Sequence, residues 1–459
     1  MLTRFSLGEE RTLPRAGRPG PLAIAALAVS LLAGCSAPGA DRPVPTGTAA
    51  PVSNPDCGTA PVVLRGRFET GFPLAKALAD EFTRQHPNVT WDVREEQFAV
   101  LTQNAPRLLA DDPPDLVRLP QVSDLAGAGL LRDLDGYAAE FGWDDWPAAQ
   151  LRPMRVGPGG RPRGEGPLYA MGFSTSVTGV FYNKDLAARI GFREPATLAE
   201  FDEALARAKQ AGIPPLAGFN AGATGGLAFP LQALMAAHGS PAAINDWVFQ
   251  RPGATVDTPA NAEGARHLQR WLRAGYFDAD LNATDYARMV DRFASGRALF
   301  MVDGDWEAAA LDRRMPGRVG FFLVPPVRAG DARAAMAGPP TFGVPAGAAH
   351  PDCAAFFLNW AVTDRVARET TVRVGGALPL GPADAPVPPA EPGSATAATL
   401  AAAAEVVASG TGMDFIANAT GAILAGSWTP RLQELAAGEV TPEEVLRRVQ
   451  EDYADQVGG

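Results

Sequence analysis

The most constraining feature of the sequence is the alternation of strand-like and helix-like segments near its start. Three short apolar runs typical of strands, separated by segments with apolar residues at helical spacing, span residues 60–68, 89–93 and 115–119. A strand, helix, strand, helix, strand order predicts a mostly parallel sheet with helices on both faces. The expected fold class is therefore α/β.

The length and the charge of the chain limit its domain organisation and the partners it can bind. The chain has 459 residues, more than one ordinary hydrophobic core accommodates, so two lobes are expected. Its net charge of -11 and its pI near 5.0 argue against nucleic acid as a partner.

The first 58 residues have the character of a targeting segment and a linker. Residues 1–35 combine several arginines with an apolar stretch that is too short to span a bilayer. They end in Leu-Ala-Gly-Cys35, which resembles a bacterial lipobox and implies a cysteine lipidated at the outer face of the cytoplasmic membrane. An ordinary signal peptide with an incidental cysteine is the alternative. Residues 36–58 are rich in Ser, Ala, Pro, Gly and Thr and are predicted to be a disordered tether.

The stretch 292–310 indicates where a ligand would bind. A helical pattern ending near Ala294 is followed by an apolar run at 298–302, by Asp303-Gly304-Asp305, and by Trp306 at the start of another helix. In open α/β sheets, ligands bind just beyond the carboxyl ends of the strands. Two carboxylates and an indole are therefore predicted at a ligand mouth. The alternative is that an aspartate caps the helix and the tryptophan packs in the core.

The sequence lacks the common motifs for catalysis and metal binding. The four histidines are scattered, so no zinc site is predicted. The sequence contains neither a G-x-S-x-G elbow nor a phosphate-binding G-x-x-x-x-G-K-[ST] loop. Asp303 and Asp305 could form a glycosidase pair, but carboxylates on one short loop more often cap a helix or accept ligand hydroxyls. We expect no enzyme, no cofactor and no metal.

Four motifs resemble those of a known family: Phe82 to Val89 (FTRQHPNV), Asp112 to Leu116 (DPPDL), Leu130 to Leu134 (LLRDL) and Val180 to Leu186 (VFYNKDL). In their residues and in their order along the chain, they resemble the motifs of the extracellular solute-binding proteins of ATP-driven importers, the family that includes maltose-binding protein. The similarity runs from about Val62 to Val449, nearly the whole chain after the tether.

The resemblance implies a periplasmic-binding-protein-like fold, with two α/β lobes joined by crossing hinge segments around a ligand cleft. It places residues 59–175 and 326–370 in the first lobe and residues 176–325 and 371–459 in the second. It implies a monomeric lipoprotein that binds a sugar or oligosaccharide and delivers it to a membrane permease with its ATPase. A secreted carbohydrate-active enzyme and a ligand-sensing subunit for a membrane receptor remain open as alternatives.

Sugar recognition needs carboxylates or amides for the hydroxyls and an aromatic face for the ring. Candidate ligand-binding residues come from predicted strand ends and from the lobe crossing: Phe68, Glu69, Gln121, Ser123, Ser174, Thr175, Ser176, Asn220, Asp303, Asp305, Trp306, Asp414 and Phe415. For each except Trp306, a cap, turn or core role is equally open. Many sugar-binding relatives carry an aromatic residue in the loop that corresponds to 221–227, and this chain does not.

Two cysteines remain once Cys35 is assigned to lipidation. An extracytoplasmic setting is oxidising, and the resemblance places both Cys57 and Cys353 in the first lobe. We therefore predict a disulfide between them that holds the N-terminus of the folded part.

Overall fold

The computed structural model describes residues 52–119 and 122–458. The predicted signal peptide, the lipidation site Cys35, most of the predicted tether and the candidate Gln121 lie outside the described residues. Within the described ranges, no helix is both long enough and apolar enough to cross a membrane.

Thirteen strands occur in the described residues: β1 Val62–Glu69, β2 Val89–Glu96, β3 Leu116–Leu119, β4 Arg155–Val156, β5 Arg163–Leu168, β6 Ser174–Asn183, β7 Leu216–Ala217, β8 Phe300–Gly304, β9 Val319–Phe322, β10 Ala335–Gly338, β11 Thr341–Gly343, β12 Leu378–Pro379 and β13 Gly412–Met413.

The α-helices of the same residues are α1 Leu74–Gln85, α2 Phe98–Asp111, α3 Ser123–Gly127, α4 Asp135–Phe141, α5 Ala148–Leu151, α6 Lys184–Arg189, α7 Leu198–Gln210, α8 Ala228–His238, α9 Pro241–Val248, α10 Pro259–Arg273, α11 Tyr286–Ala294, α12 Ala308–Arg314, α13 Pro351–Thr363, α14 Arg365–Thr370, α15 Ala395–Ser409, α16 Thr429–Ala437 and α17 Pro442–Gly458.

The first sheet has the strand order β11-β3-β1-β2. β1 is parallel to both β2 and β3, and β11 returns late in the chain to pair antiparallel with β3. Helices α1 and α2 connect the parallel strands, as the apolar periodicity predicts. The α/β class is therefore confirmed.

The second sheet is built around β6, the strand that follows the first lobe directly. The N-terminal half of β6 pairs with β10 and β12, and its C-terminal half pairs with β8 and β9. Because β6 is buried along nearly its whole length, the sheet is covered on both faces.

Two separate hydrophobic cores define the two lobes. The first contains buried residues of 64–173 and 342–367 together with Leu380, and the second contains buried residues of 177–335 and 395–453. We call these parts the first and the second lobe. The predicted return to the first lobe at residue 326 is too early, because β10 hydrogen-bonds to β6 and Ala335 lies in the second core. Leu380, predicted in the second lobe, packs in the first.

The segment 52–58, predicted to be the end of the tether, is attached to the first lobe. Val52 and Cys57 pack against its core, and the sulfurs of Cys57 and Cys353 are joined at 2.01 Å. The bond links positions 296 residues apart. The N-terminal edge of the first lobe is therefore covalently tied to helix α13.

Helix α8 differs from what its own residues predict, because the apolar pattern of residues 229–238 indicates an amphipathic helix. Every residue from Ala228 to Ala236 is buried, including Gln232. Gly264 of α10 lies against the backbone of Met235, where a Cβ would clash, so the two helices approach closely. Helix α8 is therefore a central element of the second lobe.

Candidate functional site

A cleft of about 780 Å³ lies between the two lobes. The first lobe contributes the ends of β1 and β3, the start of α2 and residues near β5, and the second contributes the starts of α8, α11 and α12 and the segment after β13. This volume is in the range of small-molecule sites in proteins, about 300–1,000 Å³.

Three aromatic side chains of the second lobe line one side of the cleft, and we call Phe229, Trp306 and Phe415 the aromatic wall. The rings of Phe229 and Phe415 are stacked, with centroids 5.0 Å apart and an interplanar angle of 16°. The indole of Trp306 is tilted against Phe229 at 5.8 Å. These residues come from three separate parts of the chain and form one apolar surface.

The position of Trp306 follows from the end of β8. The strand runs through Asp303 and Gly304, and a short 3₁₀ turn, Asp305–Glu307, leads into α12. The indole folds back over Gly304, where a Cβ would overlap the ring. Its Nε1 donates a hydrogen bond of 2.7 Å to the hydroxyl of Tyr286. The ring is therefore half-buried, held against Gly304 and at its Nε1, and it lines the cleft.

The two aspartates around Gly304 do not line the cleft, contrary to the prediction of a polar ligand-binding loop. Both are fully buried. Asp305 accepts a hydrogen bond from the backbone N–H of Val177 at 3.0 Å, and Asp303 Oδ2 lies 3.0 Å from the hydroxyl oxygen of Tyr286. Burial raises the pKa of both carboxyls well above the usual range. Asp303 points into the lobe because β8 continues beyond the apolar run, and Asp305, the first residue of the 3₁₀ turn, faces inward to the backbone of Val177.

Glu307 is the carboxylate that this segment presents to the cleft. Its Oε1 lies 2.7 Å from the hydroxyl of Tyr286. Burial raises the pKa of Glu307, against the opposing charge of Arg314. The sequence pattern predicts Trp306 at the ligand mouth but does not single out Glu307, the residue that directly follows it.

The first lobe presents a charged surface. Glu69 at the end of β1 and Arg118 in β3 form an ion pair with a distance of 3.3 Å, and the guanidinium of Arg118 lies 5.5 Å from the ring centre of Phe98. Burial raises the pKa of Glu69, although Arg118 lowers it. We call Glu69 and Arg118 the charged wall.

A second ion pair crosses between the lobes at the cleft. Arg163 of β5 and Asp414 of the second lobe are 2.7 Å apart, with side chains only 3% and 5% exposed. The guanidinium also donates to the carbonyls of Pro153 in the first lobe, at 3.2 Å, and Asn418 in the second, at 2.8 Å. Arg163 thus joins one lobe to the other through a buried, hydrogen-bonded cation.

Five of the predicted ligand-binding residues line the cleft: Glu69, Ser176, Trp306, Asp414 and Phe415. Of the residues predicted from the first strand and the lobe crossing, some line the cleft and others do not. Phe68 is buried in the first core against Phe342, because alternate residues of β1 face opposite sides of the sheet. Ser174 and Thr175 pair with β12 and do not line the cleft.

Two further candidates, Ser123 and Asn220, are buried and do not line the cleft. Ser123 begins α3 and is buried, while its neighbour Val122 lines the cleft. Asn220 is buried and bonds to Asn282 at 2.7 Å, which orders the start of the glycine-rich loop. In both cases the prediction is one residue away from a side chain that faces the cleft.

The cleft residues missed from sequence include Arg118, Arg163, Phe229 and Tyr286. Phe229 had a detectable signal, because it lies two residues beyond the glycine-rich loop that lacks the expected aromatic residue. Arg163 and Tyr286 had none, since each lies in an unremarkable segment that only the tertiary fold brings to the cleft.

The described residues contain no group of three or more His, Cys, Asp or Glu side chains placed to hold a metal ion. His238 and His267 do approach each other, at 3.0 Å, and His267 contacts Asp202 at the same distance. These contacts lie on α7, α8 and α10, away from the cleft-lining residues.

Comparison with known proteins identifies relatives of the chain. Among curated proteins, a probable sugar-binding periplasmic protein of Mesorhizobium japonicum is 27% identical over 186 residues, covering 40% of this chain and 42% of the relative. The chain therefore spans less than half the length of that relative. A multiple sugar-binding protein of Streptococcus mutans is 22% identical over 309 residues, covering 63% of this chain and 68% of the relative.

Solved structures share the fold. A chitin oligosaccharide binding protein superposes with a TM-score of 0.71 at 21% identity, covering 87% of this chain and all of the other. The substrate-binding protein RafE, solved with raffinose, gives a TM-score of 0.67 at 18% identity over 86% of this chain and 99% of the other. The profile of the bacterial extracellular solute-binding protein family matches residues 69–368, well over half of the sequence. The chain therefore belongs to the bacterial extracellular solute-binding proteins.

Proposed function

We propose that the protein is the substrate-binding component of an ATP-driven importer and binds a sugar or oligosaccharide in the cleft between its lobes. The observation that carries the proposal is the aromatic wall inside a cleft of about 780 Å³. A sugar ring has an apolar C–H face, and a flat aromatic surface is the side chain type that covers such a face. The names of the two curated relatives, both sugar-binding, support the same ligand class.

Polar groups around the aromatic wall supply the second requirement for sugar binding. Glu69 and Glu307 offer carboxylate oxygens from opposite lobes, and Ser176 of the crossing strand adds a hydroxyl at the same cleft. Carboxylates held by arginines keep a fixed orientation for accepting hydrogen bonds from sugar hydroxyls. The site thus combines one apolar face with hydrogen-bonding groups on both sides.

The two-lobe arrangement fits delivery as well as binding. A ligand that contacts both walls stabilises the closed form, and hinge closure about crossing segments is a common way to signal occupancy. In this proposal the closed form docks on a membrane permease that works with an ATPase. The protein acts as a monomer held to the outer face of the cytoplasmic membrane through lipid on Cys35.

The proposal is tested by a thermal-shift screen of purified protein that starts after Cys35. Sugars, oligosaccharides, polyols, phosphorylated polyols and polyamines are added one at a time, since a ligand bound by the native state alone raises the melting temperature. A saccharide should raise it, and calorimetry should then give a dissociation constant. The Trp306→Ala variant is the matched control and should lose most of the shift. A shift with polyamines only, or with no saccharide at all, would exclude the proposed ligand class.

A further inference from the structure

The hydroxyl of Tyr286 lies at the centre of three polar contacts behind the aromatic wall. It accepts the indole N–H of Trp306 at 2.7 Å, and it lies 2.7 Å from Glu307 Oε1 and 3.0 Å from Asp303 Oδ2. Glu307 and Trp306 line the cleft, whereas Asp303 is fully buried behind them. The hydroxyl therefore connects a buried carboxyl to two side chains at the ligand site.

If both carboxyls were ionised, the tyrosine hydroxyl would have to donate two hydrogen bonds. A tyrosine hydroxyl carries one proton, so it donates to either Asp303 or Glu307 but not to both. The other oxygen–oxygen contact is a hydrogen bond only if that carboxyl itself carries a proton and donates it. The tyrosine oxygen then accepts two hydrogen bonds, from the indole and from the carboxylic acid, and donates one.

Electrostatics favour the singly protonated state. Burial, followed by the charge of Glu307, raises the pKa of Asp303 well above its usual range, and burial also raises the pKa of Glu307. Burial keeps the pKa of Tyr286 well above 10, so the tyrosine remains neutral. Two carboxylates in contact with one neutral hydroxyl repel each other, and a shared proton removes that repulsion.

The other charged groups near the three residues do not neutralise the second carboxylate. Arg314 of α12 also lines the cleft and lowers the pKa of Glu307, but it pairs with Asp291 at 2.7 Å. Asp305 on the 3₁₀ turn adds further negative charge near Asp303. Asp285 caps α11 by accepting the N–H of Arg288. Of these neighbours, Arg314 alone is a cation, and it does not hydrogen-bond to the tyrosine.

We propose that Asp303 and Glu307 share one proton across the neutral hydroxyl of Tyr286 and that in this state the three residues orient Trp306 for ligand binding. The inference rests on the proposed function of the cleft. Tyr286 and Asp303 are positioning residues, since they act through Trp306 and Glu307. When the pH rises and the proton leaves, two carboxylates face one hydroxyl, the support of the indole weakens, and affinity falls.

Calorimetry from about pH 5 to about pH 9 tests the coupling. The neutral saccharide from the screen should bind wild-type protein more weakly as the pH rises through the range in which the proton is lost. Asp303→Asn supplies an amide donor at every pH, so it should keep the low-pH affinity and flatten this dependence. Tyr286→Phe should bind about two- to tenfold more weakly at low pH, the effect of one lost hydrogen bond.

Tyr276→Phe is the matched control, because Tyr276 is half-buried in the second lobe and does not line the cleft. It should bind with the affinity and pH dependence of the wild type. The inference is overturned if Asp303→Asn keeps the wild-type pH dependence, or if Tyr286→Phe binds as tightly as Tyr276→Phe.

A measurement without ligand separates this inference from the proposed function. Carboxyl ¹³C NMR of the apo protein should show a resonance that titrates above the ordinary aspartate range and moves toward that range on substitution of Glu307 by Gln. If no saccharide binds and this resonance is present, the proposed function fails while the shared proton stands. If both carboxyls titrate in the ordinary range, the shared proton is excluded whatever the protein binds.

Discussion

The two walls of the cleft are built from opposite kinds of side chain. The charged wall of the first lobe holds Glu69 against Arg118, whereas the wall of the second lobe is Phe229, Trp306 and Phe415 with Glu307 at its edge. Hydrogen bonds to a charged pair fix the orientation of a ligand, whereas an aromatic surface provides contact area and restricts the orientation little. Under the proposed function, the second lobe supplies most of the binding energy and the first lobe selects the orientation of the ligand.

The lobes also differ in how they are held together. The first lobe is closed by the disulfide between Cys57 and Cys353, while among the described residues the second lobe has no disulfide and depends on a larger core around β6. Arg163 connects the two, since it extends from the first lobe to Asp414 in the second. Each of these differences can be tested separately.

The largest effect is expected from Arg163→Ala. Removing the cation leaves Asp414 buried and without its ionic partner, which typically costs about 3–5 kcal/mol in unfolding free energy. Urea unfolding measures the loss. Arg251→Ala is the control, since it breaks an exposed pair with Glu165 between the same two lobes and should cost less than about 1 kcal/mol. Equal losses in the two variants would show that burial of Arg163 contributes nothing.

Reduction of the disulfide should weaken the first lobe in particular. Losing a cross-link of this kind typically costs about 2–4 kcal/mol, because the unfolded chain regains freedom. Hydrogen exchange should show lower protection in β1, β2 and α13, with a smaller change in β8 and α8. Reductant should have no effect on the Cys57→Ser/Cys353→Ser double variant. A uniform loss of protection across both lobes would show that they unfold as one unit.

The Trp306→Ala substitution should weaken ligand binding by one to two orders of magnitude. One sugar face covers about 50–100 Å² of apolar ring surface, worth about 1–3 kcal/mol at about 25 cal/mol per Å². Trp306→Phe should recover part of this, as measured by calorimetric titration. Trp91→Ala is the control, because Trp91 is a half-buried tryptophan in the first lobe away from the cleft.

The control variant should lose stability and keep its affinity. If Trp306→Ala does the same, with unchanged affinity and a loss of about 3–5 kcal/mol in unfolding free energy, then Trp306 is a core residue and the aromatic wall has a structural role only.

The smallest effect is a pH dependence at the charged wall. Burial raises the pKa of Glu69 in the folded protein, and Arg118 partly opposes this. A carboxyl with a raised folded pKa stabilises the fold fully below its unfolded pKa, about 4.3, and loses that contribution as the pH rises through the folded pKa. The unfolding free energy of wild type relative to Glu69→Gln should therefore fall in that window, by urea titration at several pH values. A rise would show that the ion pair outweighs burial.

Sequence patterns predicted the parts of the molecule that depend on local order. Alternating strand and helix patterns located β1, α1, β2, α2 and β3 because each element buries one face at its own periodicity. The same periodicity was misleading for α8, which is buried on all sides, and for β8, which extends two residues beyond its apolar run. Burial by neighbouring elements cannot be read from one segment.

The candidate site divides along the same line. Trp306 was predicted because a strand end, two carboxylates and an indole follow one another in the chain. The residues that support it, Tyr286 and Phe229, come from separate helices that contribute to the same wall. Asp303 and Asp305 were assigned to the wrong side of that wall, since the direction of a side chain at a strand end depends on the sheet around it.

The order of the elements, the α/β class and the family motifs follow from local periodicity and turn residues, which act over a few neighbouring positions. Which side chains meet in the cleft depends on contacts between segments that are distant in the chain. Arg163 and Asp414 are separated by 251 residues and their contact depends on how the two lobes pack. Side chains brought together over such distances leave no local pattern, so the charged and aromatic walls appear only when the chain is folded.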